Sequence, residues 1–247
     1  MTQQYDMILQ SMIPVDQREA ATARLPAMKP VQGSWITIDD AYSAQMAEKA
    51  RLMTQNRQAV CRMTVGAEPA VGELLDYVLE EIAGLSGFER DGDRITRPDG
   101  MQIDILRDDP FLSLSQLVTE DLCVLEKRGD EHVLTAALLC FPAAWTLAEK
   151  IGRPLTRIHV PVAPYNENIA RRVQRLFDGI QPNKPIWRAN LHTYEEPDLF
   201  HVRGENDPRP YKNIDAHYER SERQTVLRLP NSGAVLFAIH TCVVALP

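Results

Sequence analysis

The sequence lacks any dense concentration of positive charge. Its 247 residues carry 27 Lys and Arg against 34 Asp and Glu, which gives a formal net charge of -7. Adjacent basic residues occur only in pairs, such as Arg171-Arg172. Affinity for a phosphate backbone depends on clustered lysine and arginine, so we expect no nucleic-acid partner. The charge balance is typical of a soluble protein with small-molecule ligands.

Long hydrophobic runs are missing as well. No window of about 18 apolar residues could span a bilayer, and Gln, Asp and Pro interrupt residues 1–19 before the core of a secretory signal could form. We therefore expect no membrane partner and a cytoplasmic location.

Cysteine is scarce and scattered. Cys61, Cys123, Cys140 and Cys242 form no C-x-x-C pair, so we expect no zinc cage and no iron–sulfur cluster. All but Cys61 lie in apolar runs, which predicts buried, reduced thiols. The sequence also has no Gly-x-Gly-x-x-Gly nucleotide loop and no Gly-x-Ser-x-Gly elbow of the kind found in hydrolases.

The first part of the chain has helical patterns. A helix is predicted over about 39–56, entered by the acidic pair Asp39-Asp40, which favours the positive end of a helix dipole. A second is predicted over 70–85, where apolar residues recur at helical spacing. The turn formers in 90–100 predict a short hairpin or exposed loops.

From residue 111 strand patterns dominate. The runs 121–126 and 132–141 predict one hairpin, and 224–229 with 235–246 predict another, because turn residues separate the members of each pair. The run 185–192 predicts a further strand. Helices are predicted at 143–151 and from about 166 to 179.

This order predicts an α+β fold. We expect an antiparallel sheet of about five strands with helices on one face, similar to the PAS sensor module, in which a pocket lies between the sheet and the intervening helices. Residues 111–247 are expected to form this PAS-like ligand-binding core. Residues 1–110 are expected to form a helical N-terminal extension packed on it.

Charged residues are dense beside the last hairpin. Glu222 is followed by Arg223, with Arg220 and Arg228 close by. Because neighbouring side chains of a strand point to opposite faces, we expect only one of Glu222 and Arg223 to line a pocket if the segment is a regular strand. A solvated or salt-bridged strand edge is the alternative for these charges.

Four strings in chain order resemble one protein family. They are RLPAMKPVQGSWITIDDAY (24–42), CFPAAWTLAEKIGRPLTRIHVPV (140–162), RRVQRLFDGIQPNKPIWRANL (171–191) and SERQTVLRLPNSGAVLFAIHT (221–241). They are similar to the haem-dependent oxidative N-demethylase alpha-subunit family. The resemblance implies haem b in a PAS-like core and the oxidation, with dioxygen, of a small secondary amine such as dimethylamine to methylamine and formaldehyde. One departure is Ala163-Pro164, where the family pattern predicts Pro-Gly.

The resemblance also implies protein partners. A haem monooxygenase needs electrons, and this sequence has neither a nucleotide loop nor a cysteine cluster, so reductase subunits are expected to supply them. The alternative is a haem-binding PAS-type sensor of a gas or small molecule, which would use the same pocket without catalysis.

An axial ligand for the haem iron is expected among the six histidines. On the resemblance, His159 is the predicted ligand, because it lies just before the helix predicted from about residue 166. His192 is the reserve candidate. A structural histidine bonded to a loop carbonyl is the alternative for His159.

A bound haem and an ammonium substrate would need charged groups, and four residues are candidates for them. Glu222 would balance the charge of a dialkylammonium substrate, and Arg223 would donate to bound dioxygen without titrating. Arg188 is expected to bind the cofactor by pairing with a haem propionate, or alternatively to cross-link strands. Arg228 is also expected to bind the cofactor.

Overall fold

Apolar residues at helical spacing form the helices that open the chain. The computed structural model describes residues 7–23, 27–158, 167–207 and 215–247. The helix predicted over 70–85 is observed as Glu68–Ala83; Pro69 lies in its first turn, and the apolar side chains of its repeat are buried. The described residues contain eight helices: α1 (Val15–Ala21), α2 (Tyr42–Gln55), α3 (Arg57–Val60), α4 (Glu68–Ala83), α5 (Pro110–Ser115), α6 (Leu147–Lys150), α7 (Leu155–Ile158) and α8 (Glu167–Gly179). None of these helices is long and apolar enough to cross a bilayer.

Strands fill most of the second half of the chain. They are β1 (Lys29–Pro30), β2 (Cys61–Met63), β3 (Glu89–Asp91), β4 (Arg94–Thr96), β5 (Gln102–Asp104), β6 (Asp121–Arg128), β7 (Glu131–Leu138), β8 (Ile186–Tyr194), β9 (Tyr218–Arg228) and β10 (Val235–Ala245). Both predicted hairpins are present, as β6 with β7 and β9 with β10. The region 89–104, for which the turn formers predict a hairpin or loops, is a separate three-stranded sheet of β3, β4 and β5.

The main sheet has seven strands in the order β1-β8-β9-β10-β6-β7-β2, and all neighbouring pairs are antiparallel. The predicted α+β class with a large antiparallel sheet is thereby confirmed. The strand number exceeds the expected five, because β1 and β2 extend the two edges. Strands of two and three residues are too short to show a periodicity in the sequence.

Helices cover both faces of this sheet. The front face carries Asn190 of β8 and Glu222 of β9, and the back face carries their neighbours Ala189 and Arg223. On the front face, apolar residues of β6, β9 and β10 pack with α6, α7, α8 and the residue Ile180. On the back face, apolar residues of the same strands pack with α4 and α5. The back-face core mixes residues from both sides of position 110, so the division into an extension and a core domain stays a prediction.

Candidate functional site

Strand β9 brings the charged segment into the middle of the sheet. It begins at Tyr218, well before the predicted start at Gln224, and pairs with β8 on one side and β10 on the other. Because the strand is regular here, Glu222 and Arg223 point to opposite faces, as the alternation rule requires. The two predicted catalytic residues therefore lie in different layers of the molecule.

Glu222 is held in a defined position on the front face. Its side chain is buried, with only 7% of the residue exposed. Asn190 Nδ2 and Gln224 Nε2 donate to Oε2 at 2.9 and 3.1 Å, and the backbone N–H of Glu222 donates to Asn190 Oδ1. Arg220 Nη2 lies 3.7 Å from Oε1. A buried carboxylate that accepts from two amides and faces one guanidinium can bind a further cation at Oε1.

Arg220 is itself a structural link rather than a free cation. Its guanidinium donates to the backbone carbonyls of Phe141 and Leu199, and it packs against the ring of Tyr194 with 5.8 Å to the centroid. It therefore ties β9 to the chain at Phe141 and at Leu199. Sequence reasoning noted this arginine only as part of a charged run, because its partners are distant in the sequence.

Arg188 differs from the other arginines of the front face. It lies opposite Gln224 across the strands and thus diagonal to Glu222. Burial lowers the pKa of its guanidinium, and the negative charge of Glu222 opposes that shift. Among the residues that the structure describes, its side chain has neither an ion pair nor a hydrogen bond. A half-buried cation of this kind is available to an anionic group on the front face.

Arg228 is fully engaged with the end of α8. Its guanidinium donates to the carbonyls of Phe177, Ile180 and Gly233, each at 2.6 Å. The last carbonyls of a helix lack intrahelical donors, and a cation there also interacts favourably with the helix dipole. The structure thus shows Arg228 joining α8 to the hairpin β9–β10. Its predicted role in cofactor binding stays a prediction.

The back face contains a second polar cluster around Arg223. Arg223 Nη1 lies 3.3 Å from Thr37 Oγ1, and its guanidinium lies 5.1 Å from the ring centroid of Trp187. Burial lowers the pKa of Arg223, and the charge of Glu120 opposes this. Its cross-strand neighbour is the buried His240, whose Nε2 is 3.3 Å from Asp39 Oδ2.

Glu120 completes this back-face cluster. The carboxyl accepts from the backbone N–H of Thr37 at 2.7 Å, and burial raises its pKa despite the nearby charges of His240 and Lys49. Lys49 is fully buried and donates to the carbonyl of Glu120 at 2.6 Å. Sequence reasoning missed Glu120 and Lys49, because only the strand register and the packing of α2 bring them together. The pairing of Arg223 with His240 follows from the hairpin register that the turn sets.

The predicted iron ligand, His159, lies outside the described residues. The helix that leads to it, α7, ends at Ile158, whose carbonyl accepts from the buried Lys150 Nζ at 2.8 Å. Lys150 also bonds Glu205 Oε1 at 3.0 Å, and the two cations Lys150 and Arg157 hold the pKa of Glu205 at about 2. The reserve candidate, His192, is exposed on β8. Among the described residues no group of three or more His, Cys, Asp or Glu could hold a metal ion.

The four cysteines are free, and the three predicted to be buried are buried. Burial raises the pKa of Cys242 to about 12 and that of Cys61 to about 11. Thiols with such pKa values stay protonated and are poor nucleophiles or metal ligands.

The sequence matches the family model described as haem-dependent oxidative N-demethylase, alpha subunit-like, over residues 27–247. The chain belongs to this family. The match confirms the resemblance carried by the four strings. The description adds two general properties for the N-demethylase family: dependence on haem and a place as one subunit among others.

The described front face of this N-demethylase family member has two features that suit a haem. A haem needs an apolar surface for its ring and cationic groups at its edge for the propionates. Ile186, Val226 and Phe237 lie side by side on three neighbouring strands and belong to the front-face apolar cluster. Arg188 follows Ile186 on the same face, without a partner in the described part of the chain. The residues present therefore fit an apolar group with anionic substituents.

Proposed function

We propose that this chain is the haem-binding, amine-oxidising subunit of an oxidative N-demethylase, a monooxygenase that acts on a small secondary amine such as dimethylamine. The observation that supports it best is the neighbourhood of Glu222 and Arg188 on the front face. Glu222 is a buried carboxylate fixed by two amides, and Arg188 is a half-buried cation without a partner in the described residues. The first suits an ammonium ion and the second a haem propionate.

The reaction determines what else is needed. Dimethylamine, dioxygen, two electrons and two protons yield methylamine, formaldehyde and water, which balances atoms and charge. Bound haem b would supply the activation of dioxygen. Because the family is one of alpha subunits and this sequence has no nucleotide loop, partner reductase subunits would deliver the electrons.

The residues of the chain have separate tasks in this proposal. His159 would hold the iron, and Arg188 would pair with a propionate. Glu222 binds the ammonium N–H groups, and Asn190 and Gln224 keep its carboxylate oriented, so the substrate loses less entropy on reaching its reactive position. Arg223 faces the other layer, where it acts as a positioning residue that fixes Thr37 against the sheet.

Two further features belong to the same proposal. The central order β8-β9-β10-β6-β7, with α6, α7 and α8 inserted before β8, supports a PAS-like core. The free, buried cysteines suit a reducing compartment, which supports a cytoplasmic location.

The test combines spectroscopy with turnover. Purified protein is supplied with haem, and its absorption is recorded oxidised and after reduction with dithionite; formaldehyde release from dimethylamine is then followed with a surrogate reductant. We expect a Soret band that shifts on reduction and disappears in His159→Ala. Glu222→Gln should keep this band and raise KM for the amine by about 10–100-fold, because one buried ion pair is lost.

The matched control is Glu219→Gln on the same strand. Glu219 pairs with the exposed Arg18 at 2.7 Å, so its loss should change KM by no more than a factor of about 2. A protein that takes up no haem would overturn the proposal. A stable haem complex that never releases formaldehyde would replace it with the sensor alternative.

A further inference from the structure

We propose that the outer side of α8, formed by Arg171, Arg172 and Arg175, docks an acidic electron-transfer protein. We call this surface the α8 basic face. The inference rests on the proposed function, since it concerns the delivery of electrons to a haem on the front face.

In the described part of the chain these arginines are unpaired, although the net charge of the protein is negative. All three are exposed, and in the described part of the chain none of them has a carboxylate or other hydrogen-bond partner. Several exposed and half-exposed arginines elsewhere are paired with carboxylates, as in Arg18–Glu219, Arg57–Asp109, Arg94–Asp104, Arg107–Asp76, Arg157–Glu205 and Arg203–Asp207. Within the described residues, a protein of net charge -7 thus has three neighbouring arginines without a carboxylate partner.

The spacing of the three arginines does not stabilise α8. Arg171 and Arg175 are four residues apart, so they lie on the same side of α8, where like charges destabilise by a few tenths of a kcal/mol. The inner side of α8 does pack, through Phe177 in the front-face cluster. The fold therefore accounts for the inner side of α8, and a negatively charged partner would offset the repulsion between the like charges of the outer side.

The α8 basic face also lies close to the front face, because α8 packs on that face. Phe177 of α8 packs on the front-face cluster, and Arg228 of β9 holds the end of the helix. A partner bound to the outer side is thus separated from the front face by one helix, a thickness of about 10 Å. A partner on the opposite side of the molecule would face the helices of the back face and then the sheet. The α8 basic face is the shorter way to the proposed haem.

Each reduced iron–sulfur group of the partner would give up one electron, and the haem that the front face would hold would accept it. Two such transfers supply the two electrons that the oxidation of one amine requires. Charge complementarity across the contact would speed association at low ionic strength, and salt would weaken it.

The experiment uses an acidic [2Fe–2S] ferredoxin, reduced by its own NADPH-dependent reductase, as the probe. The test variant reverses the charges of the α8 basic face: Arg171→Glu, Arg172→Glu and Arg175→Glu. The control variant makes the same change in net charge on the small sheet and the loop after it: Arg90→Glu, Arg94→Glu and Arg107→Glu. Affinity for oxidised ferredoxin is measured by calorimetry at low and high ionic strength, and the Soret shift driven by reduced ferredoxin is followed by stopped flow.

We expect wild type to bind ferredoxin at low salt and to lose affinity as salt rises. The α8 variant should bind at least about 10-fold more weakly and reduce correspondingly more slowly, while the control stays within about 2-fold of wild type. If the glutamate substitutions unfold α8 by circular dichroism, the triple Arg→Gln variant replaces them, with a smaller loss expected in the same direction.

Equal binding by the α8 variant and wild type, equal losses in both variants, or no binding by wild type would overturn the docking site. Failure of the proposed function is distinguishable, because it would appear as the absence of a dithionite-sensitive Soret band in wild type. The affinity for ferredoxin is measured independently of that band.

Discussion

Replacing Arg228 with methionine tests whether this residue supports a helix or binds the cofactor. The change keeps much of the apolar stem and removes three hydrogen bonds of 2.6 Å to the carbonyls of Phe177, Ile180 and Gly233. A hydrogen bond from a charged donor contributes about 1.5–3 kcal/mol when buried. Since Arg228 is only half-buried, we expect the free energy of unfolding to fall by about 2–4 kcal/mol. For a protein of this size that corresponds to a fall in Tm of about 5–15 °C.

The matched comparison is Arg188→Met. This arginine lies on the same face and is also half-buried, but has no partner in the described residues, so its removal should change the free energy of unfolding by no more than about 0.5 kcal/mol. Urea unfolding of the haem-free proteins, followed by circular dichroism, measures both values. Haem titration of the folded proteins then gives the complementary result: Arg188→Met should weaken haem binding, and Arg228→Met should weaken it much less.

Equal stability losses in the two variants would refute the reasoning, since the contrast depends on their different hydrogen bonding. If Arg228→Met leaves stability unchanged and weakens haem binding, Arg228 is the propionate partner and not the support of α8. Arg228→Lys should lie between wild type and the methionine variant, because one ammonium group cannot reach all three carbonyls.

Two further variants test other parts of the structure. Burial raises the pKa of Asp121 to about 6, so the folded chain binds this proton more tightly than the unfolded chain; stability is greatest below about pH 4 and falls as the pH rises to about 6. Relative to Asp121→Asn, the free energy of unfolding of wild type should therefore fall by about 2–3 kcal/mol between pH 4 and pH 7. A difference in this free energy between the two proteins that does not change with pH in urea unfolding would contradict this. Lys150→Met removes the hydrogen bonds to Ile158 and Glu205, so it should lower the free energy of unfolding by about 1–3 kcal/mol. Amide exchange in α6 and α7 should become faster. Arg157 is more exposed, so Arg157→Met should lower the free energy of unfolding by less than about 1 kcal/mol. Equal losses of stability in the two variants would count against a special role for the buried lysine.

Elements with a local signal were predictable from the sequence. The helix over 70–85 and the two hairpins were recognisable, because their periodicity and turn residues are contained in short windows. The helix predicted at 143–151 is observed only as Leu147–Lys150. Pro142 and the positive φ of Ala144, at 61°, place the preceding residues outside a helix.

The position of a site residue was predictable only where the pattern of a single strand determines it. Alternation separates Glu222 from Arg223 without any knowledge of the rest of the fold. The amides that hold Glu222 come partly from another strand, Asn190, and the partners of Arg228 come from α8. Such contacts depend on register and packing, and a single sequence does not display them.

The hairpin turn after β9 has a consequence for how the protein could change over evolutionary time. Leu229 and Ala234 close this turn through a backbone hydrogen bond, with Gly233 in the left-handed region at φ 71°. Losing or gaining one residue there would shift β9 by one position, exchanging the acidic and the basic side chain between the two layers. Whether a molecule bound on one face meets the acidic or the basic side chain thus depends on whether the turn has an odd or an even number of residues. Point substitutions can tune that charge, whereas its inversion by a deletion would also turn the buried side chains of Val226 and Leu227 to the opposite layers.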